Sequence, residues 1–155
     1  MEFRLALRCT SWYTSCMRVD HSLAISAPIE TVWALTEAVE RWPDLSTTTM
    51  TSVERLDTGP IRAGSTARIK QPAQRATVWT VTDANAPTSF SWSTKVGTVT
   101  MTAIHTLEPT ATGCRNTLVI ETKGFGSGLL GLVAGRKIRQ TIETENLCFK
   151  RAAEA

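Results

Sequence analysis

The chain has 155 residues and a formal net charge of +3 from 17 basic and 14 acidic side chains, a size that fits one domain and argues against two independent folding units. At this length folding buries roughly two-thirds of the surface an unfolded chain exposes, so neither a disulfide nor a structural metal is needed to hold a core. The basic residues are interleaved with Thr, Ala and acids rather than clustered beside stacking aromatics, which points away from a nucleic-acid partner.

Cys9, Cys16, Cys114 and Cys148 are far apart, form no C-x-x-C pair and have only His21 and His105 to complement them, so no metal site is expected. Thiols in a reducing compartment are the default, with a Cys9 to Cys16 disulfide left open for an exported chain. Arg4 and Arg8 interrupt what would have to be the apolar region of a signal peptide. The most apolar stretch is stopped by Arg136 and Lys137 before reaching the ~20 apolar residues that cross a bilayer. The expectation is a cytoplasmic protein without stable membrane insertion, as a monomer or homodimer.

Residues 1 to 17 show neither a helical nor a strand period and read as an N-terminal extension, disordered or dispensable, ahead of a single domain at 18–153. Val19, His21, Leu23 and Ile25 then alternate with polar or small residues in a half-buried strand, with His21 near its start, and Pro28 ends it. Ile29, Val32, Trp33 and Thr36 recur at helical spacing, with Ser26 or Ala27 near the cap and Glu30 in the first turn. Pro43 disfavours helical geometry at Trp42 and allows a second short helix to begin.

From Thr48 to Lys123 the chain is rich in Thr, Val, Ile and Trp, and turn signals such as Thr58-Gly59-Pro60, Asn85-Ala86-Pro87 and Val96-Gly97 cut it into six strands. Connections this short favour an antiparallel meander. Ala67 and Ile69, Phe90 and Trp92, and Val99, Met101, Ala103, His105 and Leu107 fall on one apolar face. The last segment, from about Gly126 to Ala153, places Leu130, Val133, Ile138, Ile142, Glu145, Cys148 and Phe149 near one stripe of a long helix, which must lie on that face. The fold class is therefore α+β: a seven-stranded antiparallel sheet, two short helices after strand 1, and a long C-terminal helix.

This order resembles the polyketide cyclase, dehydrase and lipid-transport superfamily, which includes START-related domains and relatives of the major birch-pollen allergen. The likeness covers roughly residues 17 to 153 and rests on Ser26-Ala27-Pro28-Ile29-Glu30-Thr31-Val32-Trp33, Arg41-Trp42-Pro43, Leu56-Asp57-Thr58-Gly59-Pro60, Trp79-Thr80-Val81-Thr82 and His105-Thr106-Leu107-Glu108-Pro109. The resemblance implies a helix-grip fold, in which a curved sheet wraps the long helix around a cavity for lipids, polyketides or other apolar molecules. It does not imply one reaction, because many such proteins bind or transfer while others act as aromatases or cyclases.

Gly126-Ser127-Gly128-Leu129-Leu130-Gly131 spells G-x-G-x-x-G, but a dinucleotide site needs a second parallel strand after the helix, and none follows. No cofactor is expected. These glycines read instead as a flexible lead-in that lets the helix approach the sheet, with Phe125 and Leu129 as a gate. Trp79, Phe90, Trp92, Met101 and Ala103 from the sheet, with Ile138 and Ile142 from the helix, are the candidate ligand-binding wall, joined by His105, Phe125 and Glu145. Glu145 and Arg75 are candidate charges at the pocket mouth. Trp33 and Trp42 are expected to pack the small helices on the sheet edge, with Trp42 touching the cavity. No catalytic residue is assigned, although an inward His105 is the candidate acid or base.

Three readings follow: a non-catalytic carrier or sensor of a lipid or polyketide-like molecule, favoured because no catalytic signature stands out; a cyclase or dehydrase using the same cavity through His105; and a protein-interaction module with little or no cavity.

Overall fold

The computed structural model describes residues 16–155; the Cys9 to Cys16 pairing and residues 1–15 of the extension expected at 1–17 lie outside the described residues, whereas Cys16 and Met17 of that stretch already belong to the first strand. Seven strands follow the predicted order: β1 (Cys16–Ile25), β2 (Ser52–Arg55), β3 (Thr66–Lys70), β4 (Thr77–Asn85), β5 (Ser89–Val96), β6 (Val99–Thr110) and β7 (Gly113–Gly124). The sheet runs β1-β7-β6-β5-β4-β3-β2, every neighbour antiparallel. β2 to β7 form the meander and β1 closes against β7. A register shift between Val81 and Asp83 adds local twist to β4.

Between β1 and β2 lie α1 (Ile29–Glu37), a single 3-10 turn at Val39–Arg41, and α2 (Trp42–Leu45), with Pro43 in its first turn. The cap of α1 differs from expectation. Pro28 holds that position without a side-chain capping bond, and the Ser26 backbone N–H instead donates to Glu154 Oε1 at 2.7 Å. Asp57 accounts for the Leu56-Asp57-Thr58-Gly59-Pro60 stretch, since its carboxylate accepts from Ser65 Oγ at 2.9 Å, Arg55 Nη2 at 2.9 Å and the Thr66 N–H at 3.1 Å. Those bonds, Ser65 foremost, hold its carboxyl below the ordinary range and fix the β2–β3 loop.

The long helix α3 (Ser127–Ala153) starts after Gly126, whose φ of 90° supplies the left-handed turn out of β7. It packs chiefly on β1 and then β7. Asn146, fully buried, is the central tie: its Nδ2 reaches the His21 and Asn116 carbonyls at 3.1 and 3.2 Å, and its Oδ1 accepts from Asn116 Nδ2 at 3.0 Å. His21 thus lies mid-strand against α3, not near the strand's start. Lys150 Nζ donates to the Ala24 carbonyl at 2.8 Å and pairs with Glu154, pinning the far end.

Seven strands spaced about 4.8 Å apart spread over roughly 29 Å, whereas one helix with its side chains covers about 10–12 Å. Because α3 sits over β1 and β7, the concave face of β3 to β6 is left to the short helices, α1 on β6 among them, and to a gap. The core divides accordingly into a large cluster around Trp42, Phe90, Trp92 and Phe149 and a small one of Val19, Leu118 and Ile142. Val133 lies outside the apolar stripe assigned to it: it is exposed, and Ala134 beside it faces inward.

Candidate functional site

The gap between the two core clusters is a cavity of about 340 Å³, within the range of small-molecule sites. Its volume removes the solid packing that an interaction module without a cavity assumes. The sheet contributes Ile69, Trp79, Trp92, Met101, Ala103, His105 and Ile120; α3 contributes Leu130, Ala134, Lys137, Ile138, Thr141, Ile142 and Glu145. Trp42, Met50, Gln71 and Gln74 complete the lining.

Eight of the ten residues singled out in the sequence are brought together here, and two are not. Phe90 shares the inner face but is fully buried behind Trp42 and Trp92, whose rings lie 6.2 and 5.2 Å from its own. Phe125 is exposed and does not line the cavity, and the same holds for Leu129, so neither gates it. Arg75 is exposed and also absent from the lining; Lys137 supplies the cation instead. Trp33 is buried in the large core cluster and forms an N–H bond to Glu37 Oε2 at 3.1 Å.

Trp42 is central rather than peripheral. Pro43 and the preceding 3-10 turn set it so that its indole N–H donates to the Leu35 carbonyl at 3.0 Å, leaving the ring to meet Phe90, Trp92, His105 and Phe149. Trp79, with its N–H held by Thr77 Oγ1 at 3.1 Å, and Trp92 face each other at 5.6 Å. Three indoles and the thioethers of Met50 and Met101 therefore make a wall that combines rigid flat faces with adaptable ones.

The polar groups in this wall are few and perturbed. His105 is buried among aromatic rings, its Nδ1 has no hydrogen-bond partner among the described residues, and burial pushes its imidazole down to about 3. It is neutral at ordinary pH, and among the described residues no carboxylate contributes to its shift. Glu145 lines the cavity and also a niche of about 10 Å³ beside Ser46, Thr49 and Cys148. Burial pushes its carboxyl up to about 7, with the Thr49 hydroxyl opposing the rise. Among the described residues no three His, Cys, Asp or Glu side chains gather as a metal would need, and no helix is long and apolar enough to cross a membrane.

The sequence profile described as polyketide cyclase / dehydrase and lipid transport matches residues 17–154. The chain belongs to this family. No curated protein sequence is significantly similar to it. Solved structures share the fold of this member of the polyketide cyclase / dehydrase and lipid transport family at low identity. Truncated norcoclaurine synthase from Thalictrum flavum is 12% identical with a TM-score of 0.72, over 92% of this chain and 96% of that one. Ara h 8.0201 is 11% identical with a TM-score of 0.72, over 90% and 98%. The di-domain ARO/CYC StfQ from the steffimycin biosynthetic pathway is 11% identical with a TM-score of 0.73, over 90% of this chain and 51% of StfQ. These likenesses establish the helix-grip architecture expected from the sequence.

Five of the cavity residues absent from the sequence reading divide by signal. Ala134, Lys137 and Thr141 fall on the helical period anchored at Ile138 and Ile142, but their small or polar character hid them. Gln71 and Gln74 come from the β3–β4 connection, which carries no period.

Proposed function

We propose that the cavity binds a hydrophobic small molecule, lipid or polyketide-like, and carries or senses it without catalysis. The observation that supports this most directly is the cavity of about 340 Å³ walled by Trp42, Trp79, Trp92 and Met101. Burial of apolar ligand surface at about 25 cal/mol per Å² supplies the affinity, and neutral His105 offers a hydrogen bond to one ligand hydroxyl or carbonyl. A cytoplasmic setting belongs to the same reading.

Native mass spectrometry of the purified protein, followed by extraction and identification of any companion molecule, tests it. An apolar species that is lost from a Trp79→Ala, Met101→Ala variant is the expected result. A protein that arrives without one and binds no apolar dye overturns the reading.

A second reading, cyclase- or dehydrase-type chemistry in the same cavity, is favoured by one group. Glu145, with its carboxyl near 7, is suited to give and take a proton at working pH, whereas His105 near 3 is not. Under this reading Glu145→Gln abolishes turnover of a polyketide-like substrate and spares its binding; equal loss of both removes the catalytic role.

A further inference from the structure

The outward face of the first turns of α3 is apolar and open to solvent. Phe125 is 85% exposed, Leu129 67%, Leu132 87% and Val133 80%, a concentration that marks an interaction surface rather than scattered exposure. Three- and four-residue spacing puts Leu129, Leu132, Val133 and Arg136 along one stripe. The tip of the β5–β6 hairpin joins it: Thr98 Oγ1 donates to the Phe125 carbonyl at 2.9 Å, and Val96 is 55% exposed.

The charged residues of the segments that build this patch are all basic. Between Glu121 and Glu143 the chain has no carboxylate, whereas it carries Lys123, Arg136, Lys137 and Arg139, and Lys95 precedes Val96. Lys95, Lys123 and Arg136 are exposed. On the inward side of the same helical turns, Leu130, Ala134 and Ile138 line the cavity.

We propose that this face docks on an anionic lipid surface, with Phe125, Leu129, Leu132 and Val133 entering the interface and Lys95, Lys123 and Arg136 meeting the headgroups. Apolar side chains bordered by cations complement acyl chains lying beneath anionic headgroups, which is why a bilayer is favoured over a protein partner. The docking does not depend on what the cavity holds. Where the reading above also holds, the shared turns place the cavity wall against the bilayer, so a ligand passes between them with little exposure to water.

Co-sedimentation of the full chain with vesicles of phosphatidylcholine alone, or mixed with phosphatidylglycerol, tests this. The expected result is binding to the mixed vesicles about tenfold or more tighter, weakening as salt rises. Arg136→Gln should lower it about fivefold. A Phe125→Ser, Leu132→Ser double variant, whose thermal midpoint should be unchanged because both side chains are exposed, should lose it. Equal binding to both vesicle types, or undiminished binding by the double variant, overturns the proposal. So does a dimer that the double variant dissolves while the parent ignores vesicles, since the face then belongs to a second copy.

Discussion

The Trp42 indole lies against the His105 imidazole, with ring centroids 5.0 Å apart and planes inclined by 36°. The same indole meets Phe90, Trp92 and Phe149 edge-on, so one residue of a four-residue helix closes the large core cluster and walls the cavity. Trp42→Ala should cost about 3–5 kcal/mol in urea unfolding and weaken binding of an apolar dye while the variant is still folded. A loss below about 1 kcal/mol would mean that the neighbouring rings close the space unaided.

The two perturbed groups of the cavity give the stability a pH profile with opposing limbs. Folded His105 takes its proton near 3 and an unfolded histidine near 6.5, so its contribution is fully present above 6.5 and lost as pH falls toward 3. Folded Glu145 keeps its proton to about 7 while the unfolded carboxyl releases it near 4.5, so its contribution is greatest below 4.5 and lost as pH rises to 7. The thermal midpoint of the parent relative to Glu145→Gln should therefore fall across pH 4.5 to 7. Parallel profiles would place an ionised Glu145 in the folded protein.

Two glycines near chain crossings should respond differently to alanine. A Cβ on Gly113 would lie 2.1 Å from the Ile25 carbonyl oxygen, a backbone atom at the β1–β7 junction, so Gly113→Ala should cost over about 2 kcal/mol in chemical denaturation. A Cβ on Gly131 would lie 3.0 Å from Met17 Sδ, the end of a flexible side chain. Gly131→Ala should stay within about 1 kcal/mol of the parent, because the gain in helix propensity offsets the crowding.

Asn146→Ala strands the Asn116 amide and the His21 carbonyl, both held by Asn146, at about 1–3 kcal/mol for each buried group left without a partner. Urea unfolding should show a loss of that order. Hydrogen exchange should show α3 opening from β1 before the meander does; simultaneous opening would mean that the helix is held mainly by its apolar contacts.

The architecture was legible because the period of two is strong where one face is buried. Ala67 and Ile69, Phe90 and Trp92, and Val99 through Leu107 all point inward as the alternation requires. Alternation gives a face and not a depth, so Phe90 and Trp92 read alike, although Trp42 covers one and the cavity meets the other. In α3, apolar character drew Val133 onto the inner stripe, whereas the period set by Ile138 selects Ala134, Lys137 and Thr141. The perturbation of Glu145 arises from α2 and the loop after it folding over that stripe, and no local pattern records it.

The fastening of α3 to β1 and β7 has a consequence for how this protein can diverge. The groups that tie the helix down, Asn146, Lys150 and the Met17 approach to Gly131, do not line the cavity, whereas Ile120, Ile138 and Ile142 belong both to its wall and to the small core cluster. Exchanges at Trp79, Met101 or Gln74 remodel the interior without touching those ties. The shape of the cavity wall can therefore change while the shell around it stays constant.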